Sequence, residues 1–131
     1  MRPLRYGVNV TLDGCVHHEA GLPPDAESMA FWTEELAAGE VLLYGRTTYP
    51  MMESAWRRPA SGGWPGWMDA SEVAFAEVID ALPKVVVSGT LGSVDWKATL
   101  LLAGLPAPLR LEVHERRVLG SGAVVQRHRL R

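Results

Sequence analysis

The chain has 131 residues, a formal net charge of −2, 47% hydrophobic and 21% charged residues. This composition fits one globular domain and supplies no basic field for nucleic acid or an anionic membrane surface. No apolar run approaches the roughly 20 residues of a membrane-spanning helix. The basic start Met1-Arg2-Pro3-Leu4-Arg5 leads into no long apolar stretch, so no signal peptide is expected. The single cysteine, Cys15, excludes an intramolecular disulfide, and the expected location is the cytoplasm.

Leu4 to Leu12 alternates, with Leu4, Tyr6, Val8 and Val10 on one face and Arg5, Gly7, Asn9 and Thr11 on the other, which predicts a first strand. Its second face is small and polar, as in a cavity wall. Asp13-Gly14 ends it in a turn. His17 and His18 follow, but adjacent histidines in a strand point to opposite sides and make a poor metal pair, so no metal site is expected.

Asp25 is positioned to cap a helix from Ala26 to Ala38 that buries Met29, Trp32, Thr33 and Leu36, and Gly39 ends it. Glu40 to Tyr44 predicts a strand that empties into Gly45-Arg46-Thr47-Thr48. A glycine permits close approach, Arg46 offers a fork of donors suited to phosphate, and a hydroxyl-capped helix N-terminus would favour an anion at the same place. A short helix from Thr48 to Ala55, with Pro50 in its first turn, follows. Arg57 to Gly66 is a Pro/Gly-rich loop. Trp56, Trp64 and Trp67, three of the five tryptophans, cluster there and suggest a wall over a pocket or a partner surface.

Asp69-Ala-Ser-Glu72 has capping-box spacing for a helix from Ala70 to Ala81, with Val73, Ala76, Ile79 and Leu82 inward and Pro83 as the stop. Val85-Val86-Val87 predicts a strand buried on both faces, running into Ser88-Gly89-Thr90. If the two strands lie parallel, Arg46-Thr47-Thr48 and Ser88-Gly89-Thr90 reach the same sheet edge, where open α/β sheets bind ligands. Val94 to Leu102 predicts a further strand. Gly104 to Pro108 is a turn-rich connector. Arg110 to Arg117 and Ala123 to Leu130 alternate around Gly120-Ser-Gly122 and predict a closing antiparallel hairpin that carries His114 and His128. The whole reads as α/β with a mixed, partly parallel sheet.

Several of these pieces, in this order, resemble dihydrofolate-reductase-like proteins: Asn9-Val-Thr-Leu-Asp-Gly14, Leu43-Tyr-Gly-Arg-Thr-Thr-Tyr49, Met51-Met-Glu-Ser-Ala-Trp56, Pro83-Lys-Val-Val-Val-Ser88 with Asp95-Trp96, and Leu119-Gly-Ser-Gly-Ala-Val-Val125. The closer resemblance is to the bacterial branch related to the reductase domain of riboflavin biosynthesis. It implies a three-layer α/β fold with a mixed, mostly parallel sheet in a single domain over 1–131, and a site for a reduced nicotinamide dinucleotide, usually NADPH. Carried over by position, Gly45, Arg46, Thr47 and Thr48 would hold cofactor phosphates, and Ser88 and Thr90 would lie near the adenosine end. Asn9 and Asp13 would lie near the nicotinamide and the substrate. Asp13 is the one candidate catalytic carboxylate, although the same residue equally suits the turn before Gly14. His18 is a further candidate proton donor. Gly89 stands where relatives often carry Arg or Ser.

The implied activity is NADPH-dependent reduction, by hydride transfer, of a small pterin- or pyrimidine-like heterocycle, in a homodimer. The alternative is a catalytically silent domain that binds a ligand or mediates oligomerisation. One departure bears on both. Between Leu100-Leu101 and Ala103-Gly104, relatives carry a block on the order of 45–50 residues, with a central strand ending in a glycine pair. Either the sheet closes over the gap, or another chain completes it, or the sequence is an internally shortened form of a longer ancestor.

Overall fold

A computed structural model of the protein describes residues 4–11, 13–21, 23–104, 110–120 and 124–130. The elements in order are α1 (Ala26–Ala37), β1 (Leu42–Gly45), α2 (Thr48–Trp56), α3 (Ala70–Ala81), β2 (Lys84–Val87), β3 (Thr99–Leu102), β4 (Leu111–Val118) and β5 (Val124–Leu130). They divide into two compact units, residues 29–106 and residues 1–28 with 107–131. The connector Leu105 to Pro108 and the turn residues Ser121 and Gly122 lie outside the described residues, as does Leu12.

Residues 29–106 are an α/β unit. Its sheet has three strands in the order β1-β2-β3, both pairings parallel. Leu42, Lys84 and Thr99 share one register line and Tyr44, Val86 and Leu101 another. Side chains alternate across a sheet, so this face meets the helices. There Tyr49, Ile79, Val86 and Trp96 are buried together, with Leu36, Leu42, Tyr44, Met52, Trp56, Phe75 and Leu101 packed around them. Ile79 and Val86 are fully buried, each contributing about 1.5–3 kcal/mol over an exposed side chain. Trp56 meets Phe75 edge-on at 4.8 Å, joining α2 to α3.

Helix starts follow the local chemistry. The Ser28 N–H donates to the Asp25 carboxylate at 2.8 Å. Asp69 forms a complete capping box with Glu72 at the head of α3. Thr47, by contrast, stands at the head of α2 in a helical backbone conformation and makes no side-chain cap.

The parallel crossover from β2 to β3 runs through residues 88–98 without a helix. Its anchor is Trp96, whose backbone N–H donates to the Tyr49 hydroxyl at 3.1 Å. Arg57 reinforces it by reaching Glu53 at 2.8 Å and Asp95 at 2.9 Å. The predicted strand from Val94 is therefore shortened to Thr99–Leu102: Ala98, with φ at +54°, breaks the extended backbone just before it.

Other expectations also need correction. The predicted first strand is not formed, since residues 4–11 carry no regular structure. Alternation selects a strand only if a neighbour takes up its backbone groups, and the three-stranded sheet does not include this segment. The expected mixed sheet is instead wholly parallel, because β4 and β5 pair only with each other in a separate two-stranded sheet. Among the described residues, no third layer covers the other face of this sheet. The face carrying Leu43 and Leu100 leaves those side chains 43% and 56% exposed.

In the other unit the hairpin is present as predicted, with Leu111 opposite Leu130 and Val118 opposite Val124. A register shift between Val113 and Glu115 sets His114 out of the regular ladder. The Gly120 N–H donates to Glu27 at 3.3 Å, and a β-carbon at Gly120 would lie 2.7 Å from that carboxylate.

Candidate functional site

The candidate phosphate site depends on where strands end. Gly45 lies opposite Val87, and Val87 opposite Leu102, in parallel register. Arg46-Thr47-Thr48, Ser88-Gly89-Thr90 and Ala103-Gly104 therefore all leave from the C-terminal edge of one sheet. Arg46, Thr47 and Thr48 are exposed. A β-carbon on Gly45 would meet nothing within 4 Å, so the space over the strand end is open.

Thr47 does not cap α2 with its side chain, so its hydroxyl claims neither the Thr48 nor the Tyr49 N–H, and Pro50 in the same turn has none to offer. That differs from the hydroxyl-capped helix the sequence suggested, and it leaves more donor capacity for an anion. The second strand end is more self-contained. The Ser88 Oγ accepts from the backbone N–H groups of Thr90 at 3.2 Å and Leu91 at 3.0 Å, and lies 3.4 Å from the Thr90 hydroxyl. Ser88 is buried and shapes this turn, whereas Thr90 is exposed. The residues present thus suit a phosphate group, with Arg46 and the head of α2 as donors.

Asn9, Asp13 and His18 belong to the other unit, residues 1–28 with 107–131. Asn9 is exposed. Asp13 accepts from the Thr11 hydroxyl, and the Cys15 N–H donates to the same hydroxyl oxygen at 2.9 Å. These contacts close a turn completed by Gly14 at φ +88°. The Thr11 hydrogen bond, with backbone N–H groups, holds the Asp13 carboxyl below its ordinary range. Like an ordinary exposed aspartate it is a carboxylate near neutral pH. His18 stacks on His17 with ring centres 4.9 Å apart and approaches Glu19 at 3.8 Å.

The sequence matches no protein-family model and no curated protein.

A second polar cluster was not anticipated from the sequence. A cavity of about 200 Å³ is lined by Arg58, Trp64, Glu77, Asp80 and Lys97. Asp80 lies in the last turn of α3, four residues before β2, and Lys97 two residues before β3, which puts this cluster toward the N-terminal edge of the sheet, opposite the candidate phosphate site. Asp80 is 5% exposed. Its Oδ1 accepts from Trp96 Nε1 at 2.7 Å and from the Arg58 N–H at 3.2 Å, and its Oδ2 pairs with Lys97. Burial pushes its pKa up, but the bonds from Lys97, Trp96 and Arg58 outweigh it and hold the carboxyl below its usual value. One signal for this cluster was present. An aspartate in the last turn of a helix opposes the helix dipole, so it needs donors from elsewhere in the chain.

Proposed function

We propose that residues 29–106 bind the phosphate-bearing part of a reduced nicotinamide dinucleotide such as NADPH, as a dihydrofolate-reductase-like domain that is a ligand-binding module. The observation that carries this reading is the parallel register of β1 and β2, which brings Arg46-Thr47-Thr48 and Ser88-Gly89-Thr90 to one edge. Arg46 would pair with a phosphate, Thr47 and Thr48 would add donors at the head of α2, and Gly45 would leave room for the ligand. Thr90 would lie toward the adenosine end, with Ser88 holding the turn that presents it.

A second reading, the NADPH-dependent reductase of a small heterocycle, draws on the ordered resemblance, in which Asn9 and Asp13 lie by the nicotinamide. The cofactor would supply the hydride, and the chain would supply orientation and a proton. The strand-end geometry supports the binding module directly, whereas Asp13 is engaged with Thr11 in its own turn and His18 lies on the same separate unit.

The two readings separate on turnover. If the binding module is correct, NADPH quenches tryptophan fluorescence saturably, while its absorbance is not consumed beside dihydropterin or pyrimidine substrates. Consumption that Asp13→Asn abolishes would establish the reductase instead. Absence of saturable quenching at millimolar NADPH would remove both.

A further inference from the structure

We infer that the open face of the three-stranded sheet is a docking surface for a second copy of this chain, the two copies being related by a two-fold axis. The face is defined by register. Leu43, Val85 and Leu100 lie side by side across β1, β2 and β3, and Gly45, Val87 and Leu102 form the next row. The rows between them, with Val86 at the centre of one, face the helices. All six positions on the open face are apolar, with no charge or hydroxyl among them. Leu43, Leu100 and Leu102 are exposed, and Val85 and Val87 are only partly covered. Val41, one residue ahead of β1, is exposed as well. A sheet with one solvated face alternates apolar with polar residues, whereas a parallel sheet that is apolar on both faces has both covered. The residues are thus those of a buried face, and no described residue buries it.

The chemistry of the face selects the partner. Aliphatic side chains alone offer a different protein no directional group to recognise, and homodimer interfaces are the more apolar class. A two-fold contact needs only a self-complementary patch, and this one meets its own copy without burying a charge or an unpaired polar group. The net charge of −2 adds little repulsion between copies. Area sets the strength. Three strands of four residues present a face on the order of 200 Å² in projection. A standard interface takes roughly 800 Å² from each partner, so the dimer is weak and depends on concentration. The inference does not rest on the phosphate-site reading.

Sedimentation equilibrium of the full chain tests this. The average mass should rise from one chain toward two, with a dissociation constant between about 10 μM and about 1 mM, as suits a small interface. Leu100→Lys puts a charge into the face that each copy would bury unpaired, so association should weaken at least about tenfold. Leu100 is already more than half exposed, so the fold should persist in circular dichroism. Val113→Lys, at an equally exposed position on β4, should leave association unchanged. A chain that stays monomeric at millimolar concentration would overturn the inference. So would association that survives Leu100→Lys, that Val113→Lys weakens as much, or that grows beyond two chains. Should Leu100→Lys fail to fold, the wild type decides through its methyl NMR signals. Those of Leu43 and Leu100 should shift saturably with protein concentration while those of Val113 hold still, and the lack of such a shift would equally overturn the inference.

Discussion

Asp80 ties together three stretches of the chain: its own helix, the backbone at Arg58, and the crossover carrying Trp96 and Lys97. Asp80→Ala would orphan the Trp96 indole N–H, take the acceptor from the Arg58 backbone N–H and remove the partner of Lys97. The expected loss is about 3 kcal/mol, toward the lower end for a broken buried pair because Lys97 is solvated. Urea unfolding would measure it. Beneath the same ring lies Lys84, 1% exposed, donating to the carbonyls of Asp80 at 3.2 Å and Leu82 at 2.7 Å, with its ammonium 4.1 Å from the Trp96 ring centre. Burial lowers its pKa from 10.5 to about 8, against the opposing pull of the Asp80 carboxylate. Between those values the unfolded chain holds a proton that the folded chain has released, so stability should rise with pH from about 8 toward 10.5. Tyr44 acts in the opposite sense. Burial raises its pKa from 10.0 to about 12, so the unfolded chain loses that proton first and stability falls across this range. A stability maximum near the crossing of the two windows is expected from unfolding midpoints taken across alkaline pH. Lys84→Met should flatten the rise and leave the fall.

Among the elements, those specified by local chemistry were legible in the sequence. The capping box at Asp69 and the stop at Pro83 located α3. The run Val85 to Val87 located β2, and the alternation on either side of Gly120 located the hairpin. Asp69→Ala should cost about 1 kcal/mol, since it removes the acceptor for the N–H groups of Ser71 and Glu72. Loss of α3 ellipticity at lower temperature in circular dichroism would register it, whereas an unchanged midpoint would mean the cap carries no stability. Leu4 to Leu12 shows where local pattern failed. Its alternation is as regular as that of the hairpin, but a strand also requires a neighbour, which no local pattern supplies. Thr47 is another case: its residue type suits a cap, yet its helical backbone conformation does not present the hydroxyl to the following N–H groups.

For the whole molecule, what could be read in advance was the convergence of two strand ends, because it required only that β1 and β2 run parallel. The polar cavity could not be read as a whole, because Arg58, Glu77, Asp80 and Lys97 come from three separate stretches that only the folded chain brings within bonding distance. The central claim is that the C-terminal sheet edge binds a dinucleotide phosphate, and it bears most directly on Arg46. The decisive measurement is NADPH titration of the wild-type chain and Arg46→Ala, followed by tryptophan fluorescence. Loss of a charged hydrogen bond is worth about 1.5–3 kcal/mol, so Arg46→Ala should bind roughly ten- to a hundredfold more weakly with its fold intact. Saturable binding by the wild type with equal affinity in Arg46→Ala would contradict the account.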